Sequence, residues 1–143
     1  MSTSYPTALM DEPPRAKLQA LWRGFRGRCP QCGEGAMFRA YLKVNDTCPH
    51  CGAELHHQRA DDAPPYVTMF IVGHVIVSLL LTFEVFWPEA PFWLEALVFC
   101  GMTAALSLIL LPRVKGAFVA LQWSLRMHGF GEAAPMDRSS PAI

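Results

Sequence analysis

Residues 66–111 read YVTMFIVGHVIVSLLLTFEVFWPEAPFWLEALVFCGMTAALSLILL. Two apolar runs, 66–87 and 92–111, are separated here by Pro88, Glu89, Ala90 and Pro91. At the helical rise the first spans about 33 Å and the second about 30 Å, enough for each to cross a hydrocarbon core of about 30 Å. Neither run contains Lys or Arg, and Trp87, Phe92 and Trp93 gather at one end, as an aromatic belt does at a membrane interface. The expected architecture is a transmembrane hairpin over 64–111. Two core helices of a soluble protein are the competing reading, and such long uncharged-to-basic runs in a chain of 143 residues argue against it.

Outward from the hairpin, residues 60–66 form a helix start: carboxylates at Asp61 and Asp62 near the positive end of the dipole, prolines at 64 and 65, then the apolar run. The 12 basic residues divide as eight before the hairpin and four after it, with none between Ala60 and Pro112. By the positive-inside rule both termini face the cytoplasm and the loop bearing Glu89 faces the far side. Acidic residues also number 12, so the net charge is zero and no overall basic excess points to nucleic acid. The first thirty residues contain no unbroken apolar stretch of signal-peptide type.

Upstream lie two matched motifs, Cys29-Pro30-Gln31-Cys32-Gly33 and Cys48-Pro49-His50-Cys51-Gly52, with fifteen residues between the inner cysteines. Each Cys-x-x-Cys-Gly turn points two thiolates at one centre, and its glycine lets the backbone turn so that amides face the sulfurs. Cys29, Cys32, Cys48 and Cys51 are the expected ligands of one metal ion in a ribbon over 29–57. A disulfide framework is the alternative, and the cytoplasmic placement argues for metal. Zinc is the expected ion for a closed four-thiolate site, and iron the alternative, because Cys-Pro-x-Cys-Gly resembles the knuckles of rubredoxin. Between the motifs, residues 36–44 read as one strand and Asn45-Asp46 as a turn. So short a ribbon cannot bury a core alone, and the metal is expected to supply its folding energy. His50, His56 and His57 are read as surface groups, with His50 held inside its turn.

The remaining segments are expected to be accessory. Residues 1–14 and 131–143 read as disordered tails. Residues 15–28 form a short basic amphipathic segment with Leu18, Leu21, Trp22 and Phe25 on one face, for the membrane surface or the ribbon. Residues 112–130 read as a separate interfacial helix with a stripe of Val114, Phe118, Leu121 and Leu125. Arg113, Lys115 and Trp123 are its membrane-interface residues, joining Trp87 and Trp93 at the opposite face. Pro112 is expected to break or kink the chain there, with continuation of the second span as the alternative. Gly129 or Gly131 is the expected stop.

Within the apolar runs His74 and Glu84 are the candidate functional groups. For His74 the favoured reading is a neutral histidine that holds helices together, with Ser78, Thr103 and Ser107 as candidate partners. Cys100 reads as a small packing residue rather than, with His74 and Met102, a copper or haem site.

The cysteine ribbon, DDAPPY, the two spans and LPRVKGAFVALQWSLRMHGF, in this order over about residues 23 to 131, resemble a bacterial family of unknown function numbered 983. That resemblance implies a small multi-pass protein of the bacterial inner membrane, with a gene often neighbouring those of haem-copper cytochrome oxidase and its assembly factors. It assigns no catalytic residue. No nucleophile elbow, phosphate loop or paired carboxylates with a base is present, so the chain is not expected to be an enzyme. The expected fold class is a mainly α membrane protein: a transmembrane hairpin, an N-terminal cytoplasmic zinc ribbon and a C-terminal interfacial helix. The expected function is an accessory or assembly factor for a membrane complex, with the respiratory oxidase as candidate partner. A membrane-tethered iron electron carrier is the alternative; nucleic-acid binding through Arg23, Arg26, Arg28, Arg39 and Lys43 is weighed against lipid binding by the same residues.

Overall fold

In the computed structural model, which describes residues 16–59 and 62–130, the elements run α1 (Lys17–Phe25), β1 (Phe38–Ala40), β2 (Lys43–Val44), α2 (Ala63–Phe86) and α3 (Phe92–Ser124). The tails expected over 1–14 and 131–143, the second including the alternative stop Gly131, together with Arg15, Ala60 and Asp61, lie outside the described residues.

Helix α2 starts at Ala63 with prolines in its first turn, where a missing N–H leaves no partner unsatisfied. Asp62 occupies the N-cap position without a side-chain capping bond, so the prolines set the start. Pro64, Thr68 and Val72, spaced by four, are the buried residues of α2. Helices α2 and α3 pack on one another, with Phe83 meeting Phe99 edge-on at 5.7 Å. Both are long and apolar enough to cross a membrane, and their most apolar stretches are almost wholly unburied within the chain. A core helix of a soluble protein would show the reverse. Here the apolar side chains face outward.

At Pro112 the structure corrects the expected break. Helix α3 runs uninterrupted for 33 residues, about 50 Å, so residues 112–124 continue the second apolar helix and are not a separate interfacial one. Proline has no N–H, so the carbonyl of Leu108, one turn earlier, has no partner within the helix. The Tyr41 hydroxyl donates to that oxygen at 2.8 Å. Beyond the proline, Val114, Gly116, Val119, Ala120, Gln122 and Ser124 are buried, whereas Leu125 of the expected stripe is exposed. Neighbours cover this half of the helix. It ends at Ser124, five residues before Gly129, with Arg126 at φ +54° turning the chain.

One neighbour is α1. Its buried residues are Ala20 and Gly24, and the large apolar groups Leu18 and Trp22 stay exposed, so small residues form the contact. A Cβ on Gly24 would collide with the Gly116 carbonyl, and one on Gly116 with that of Gly24. The two helices cross backbone against backbone.

The other neighbour is the ribbon. The run expected as one strand folds back on itself instead: β1 pairs antiparallel with β2, Phe38 opposite Val44 and Ala40 opposite Lys43. The reversal falls at Tyr41 and Leu42, ahead of Asn45 and Asp46, with Leu42 at φ +59°. Without a glycine this turn lacks the usual composition signal, and it aims Tyr41 at α3. Cys29, Met37, Val44, Cys48 and Leu55 form one buried cluster with Val119 and Ala120 of α3. Gln122 completes the joint like a strand partner, accepting from Arg59 N–H at 3.0 Å and donating to Arg59 O at 3.1 Å.

Gly116→Leu is expected to force α1 off α3 and to destabilise the joint by about 1–3 kcal/mol. Trypsin should then cut at Arg23–Arg28 several-fold faster while helix content by circular dichroism stays near that of the parent. Unchanged cleavage would show that this crossing does not hold α1.

Candidate metal centre

Each Cys-x-x-Cys-Gly segment closes into the same turn. Gly33 N–H donates to Cys29 O and Gly52 N–H to Cys48 O, both at 2.9 Å. Gly33 and Gly52 stand at φ +78° and +73°, where a side chain would be strained. The turns are locked by Cys29 N–H to Gly35 O and Cys48 N–H to Ala53 O, both at 2.8 Å. Matching bonds place the two sulfur pairs face to face.

The sulfurs of Cys29 and Cys51 lie 3.7 Å apart and those of Cys32 and Cys48 3.8 Å apart, and all four fall within 4.8 Å of one another. Sulfurs about 2.3 Å from one ion in a tetrahedron are about 3.8 Å from each other, so this spacing could hold a metal ion. All five cysteines are free thiols, which sets the disulfide alternative aside in this structure. At Gly35 any Cβ would collide with the Cys48 sulfur, and the Gly35 N–H points to the Cys32 sulfur at 3.4 Å.

The sulfurs differ in environment. Burial pushes the Cys29 thiol up to about 12 and also raises Cys51. Backbone N–H groups of Gly35 and Glu34 bring Cys32 down to about 6. Near neutral pH Cys32 is therefore ready as thiolate, whereas a metal must displace protons from Cys29 and Cys51.

Around the centre, His50 reaches across to Glu34 of the first turn at 2.9 Å rather than staying inside its own. His57 pairs with Glu54 at 2.9 Å and meets Phe130 edge-on at 5.7 Å. Glu54, His56 and His57 form a second group of potential ligands, more open to water than the sulfurs.

The other candidate residues lie elsewhere. His74 finds its partner on its own helix: Nδ1–H donates to Phe70 O at 2.8 Å, and Ser78 donates to the His74 carbonyl at 2.7 Å. Thr103 likewise bonds Phe99 O at 2.6 Å, so the expected contact between His74 and the second helix is not made. Glu84 interacts with Glu95 across the helix pair, a pairing that the sequence reading missed. Trp87 and Trp93 are exposed near the α2–α3 connection, and Lys115 and Trp123 are half-buried on α3. Arg113 stands over the Phe25 ring at 5.8 Å. Cys100 is exposed and joins no group of metal-ligating side chains among the described residues. Tyr41 and Gln122, which tie the ribbon to α3, carried no motif signal.

Metal affinity should rise by at least about two decades per pH unit between pH 7 and 8, because Cys29 and Cys51 are among the thiols that release a proton. Competition with a chromophoric chelator across this range measures the slope, and a flat profile would contradict the raised thiols. In a Cys29→Ser, Cys48→Ser variant the bound metal should be lost, with a binding free energy on the order of 10 kcal/mol. The α2 and α3 helices should remain by circular dichroism.

No curated protein and no solved structure matches the chain. The match over residues 38–123, more than half of the 143, is to the family described as protein of unknown function DUF983. It takes in the second cysteine turn, both long apolar helices and the half of α3 that carries the ribbon, and the chain belongs to that family.

Proposed function

We propose that the chain is a membrane-anchored zinc-ribbon protein that acts as an accessory or assembly factor for a membrane complex. The respiratory cytochrome oxidase is the candidate, from the gene neighbourhood that the family implies. The carrying observation is the single core shared by the cysteine turns and α3, which fixes the metal-binding surface to an apolar helix. Four protein sulfurs fill a tetrahedron and leave no open position for substrate, which fits a structural ion in a protein that is not an enzyme. The charge distribution supports a bacterial inner membrane orientation with both termini and the ribbon in the cytoplasm.

A groove of about 390 Å³ between α2 and α3 supports the interaction role. Gly73, Thr103 and Ser107 line it, and Thr68 lies there 3 % exposed with its hydroxyl unbonded. Small and hydroxyl-bearing residues are what membrane helices use for close approach. Iron at the same sulfurs, giving an electron carrier, is the second reading; the exposed Cys51 edge favours it, since electron transfer needs a ligand near the surface.

Metal analysis with a visible spectrum on protein purified from its membrane is the test. About one colourless zinc per chain is expected, with the oxidase co-purifying and lost several-fold on Gly73→Leu. A reducible thiolate-to-iron band would assign the carrier role instead. Green fluorescent protein fused after Ile143 should fluoresce, and a dark fusion would reverse the topology.

A further inference from the structure

We propose that the hollow between α1, the first cysteine turn and the middle of α3 binds the phosphate group of an anionic phospholipid. The inference rests on the membrane insertion of α2 and α3.

This hollow measures about 780 Å³ and is lined by Arg23, Arg26, Arg28 and Arg113, with Trp22 and Phe25 among its walls. The chain as a whole is neutral, so the concentration of guanidinium groups is local. Three of the four are held in place. Arg23 donates to Pro30 O at 3.2 Å and Gln31 O at 3.0 Å. Arg26 lies over the Trp22 ring at 4.7 Å and Arg113 over Phe25 at 5.8 Å. Stacking fixes a guanidinium plane without consuming its N–H donors, so the forks of Arg26 and Arg113 stay open to an anion. Among the described residues the ion pairs are His50–Glu34 and His57–Glu54, and neither involves these arginines. Like charges gathered in one hollow repel, and an oxyanion with several oxygens relieves this through charge-assisted bonds.

Position selects the lipid. Pro112 and Arg113 line the hollow immediately after the apolar run ends at Leu111, which is headgroup depth for an inserted α3. On α1, Leu18 is 84 % exposed and Trp22 55 %, apolar surface of the kind that lies among lipid. A phosphodiester seated on the arginines would send its acyl chains along the outer face of α3. It would also join α1 to α3 by charge where Gly24 and Gly116 join them by contact. Nucleic acid would call on the ribbon's Arg39 and Lys43, which do not line the hollow.

Native mass spectrometry of the full chain, released from mixed phosphatidylcholine and phosphatidylglycerol membranes, tests this. One phosphatidylglycerol should be retained in preference to phosphatidylcholine. Retention should fall at least about tenfold with Arg26→Gln plus Arg113→Gln, since the loss of a single charge-assisted bond is already on that scale and two are removed. It should hold with Arg39→Gln plus Lys43→Gln, which removes equal charge outside the hollow. Equal retention of the two lipids by the wild type would overturn the proposal without any variant. Equal loss in both double variants would assign the effect to diffuse attraction and overturn it as well. Inorganic phosphate or an RNA oligonucleotide that displaces the lipid at lower concentration than glycerophosphoglycerol would overturn the lipid assignment in favour of that ligand. Carbonate extraction separates the two levels: an inserted chain without lipid selectivity sinks this site alone, and an extracted chain sinks the membrane role too.

Discussion

A proline inside a helix removes one amide donor and leaves one carbonyl unpaired, and the architecture of this chain depends on how that gap is closed at Pro112. An interior proline costs about 3 kcal/mol, and the Tyr41 hydroxyl on Leu108 O returns about 1 kcal/mol of it. Burial decides the balance. Val114 and Val119, both buried, contribute roughly 1.5–3 kcal/mol each when removed from water. A helix that broke at Pro112 would forfeit these contacts, so tertiary packing overrides the local preference of the proline.

Once α3 continues past Pro112, the remaining parts have places to dock. The ribbon, too small to bury a core by itself, uses Val119 and Ala120 as its missing apolar wall. Helix α1, whose buried residues are small, fits at Gly116, where two backbones touch. The Arg59 backbone finds both its partners on the Gln122 side-chain amide, which serves in place of a neighbouring strand. Gly116, Val119 and Ala120 share one face of α3, where Gly24 of α1 and the ribbon meet side by side, and so that half of the helix is covered although its apolar first half is not.

The sequence made plain whatever depends on short-range chemistry. The cysteine spacing is such a case, because a Cys-x-x-Cys-Gly turn is built by its own hydrogen bonds and converges two sulfurs wherever it lies. So are the two apolar helices, whose length and lack of basic charge need no partner to be read. What was hidden depends on distant contact. The apolar face of Leu18, Leu21, Trp22 and Phe25 could be read for the membrane surface or the ribbon, but the docking of α1 on α3 could not, since it uses Ala20 and Gly24 and close crossing rewards small residues. The β-turn at Tyr41 and Leu42 carries no glycine or asparagine, and only its bond to α3 explains its aim. Pro112 misled for the same reason: the donor that repairs it lies 67 residues away along the chain. His74 was expected to take its partner from Ser78, one turn on, or from Thr103 or Ser107 across the hairpin, but the Phe70 carbonyl one turn back already accepts its N–H.

The route from the sulfurs to Pro112 is short and made of direct contacts. Cys29 and Cys48 pack with Met37 and Val44, Val44 pairs with Phe38, and the turn between these strands carries Tyr41 to Leu108. Interiors packed this closely shift as units rather than atom by atom. Without an ion the two turns are joined by weak sulfur–sulfur contacts and the exposed His50–Glu34 pair, and burial keeps Cys29 and Cys51 toward the proton-bound form. An ion that joins them fixes the separation of the turns, and with it the strand pair that presents Tyr41. In this way a centre built between Cys29 and Cys51 helps to keep a helix continuous at the point where its apolar stretch ends, by holding one hydroxyl on one carbonyl.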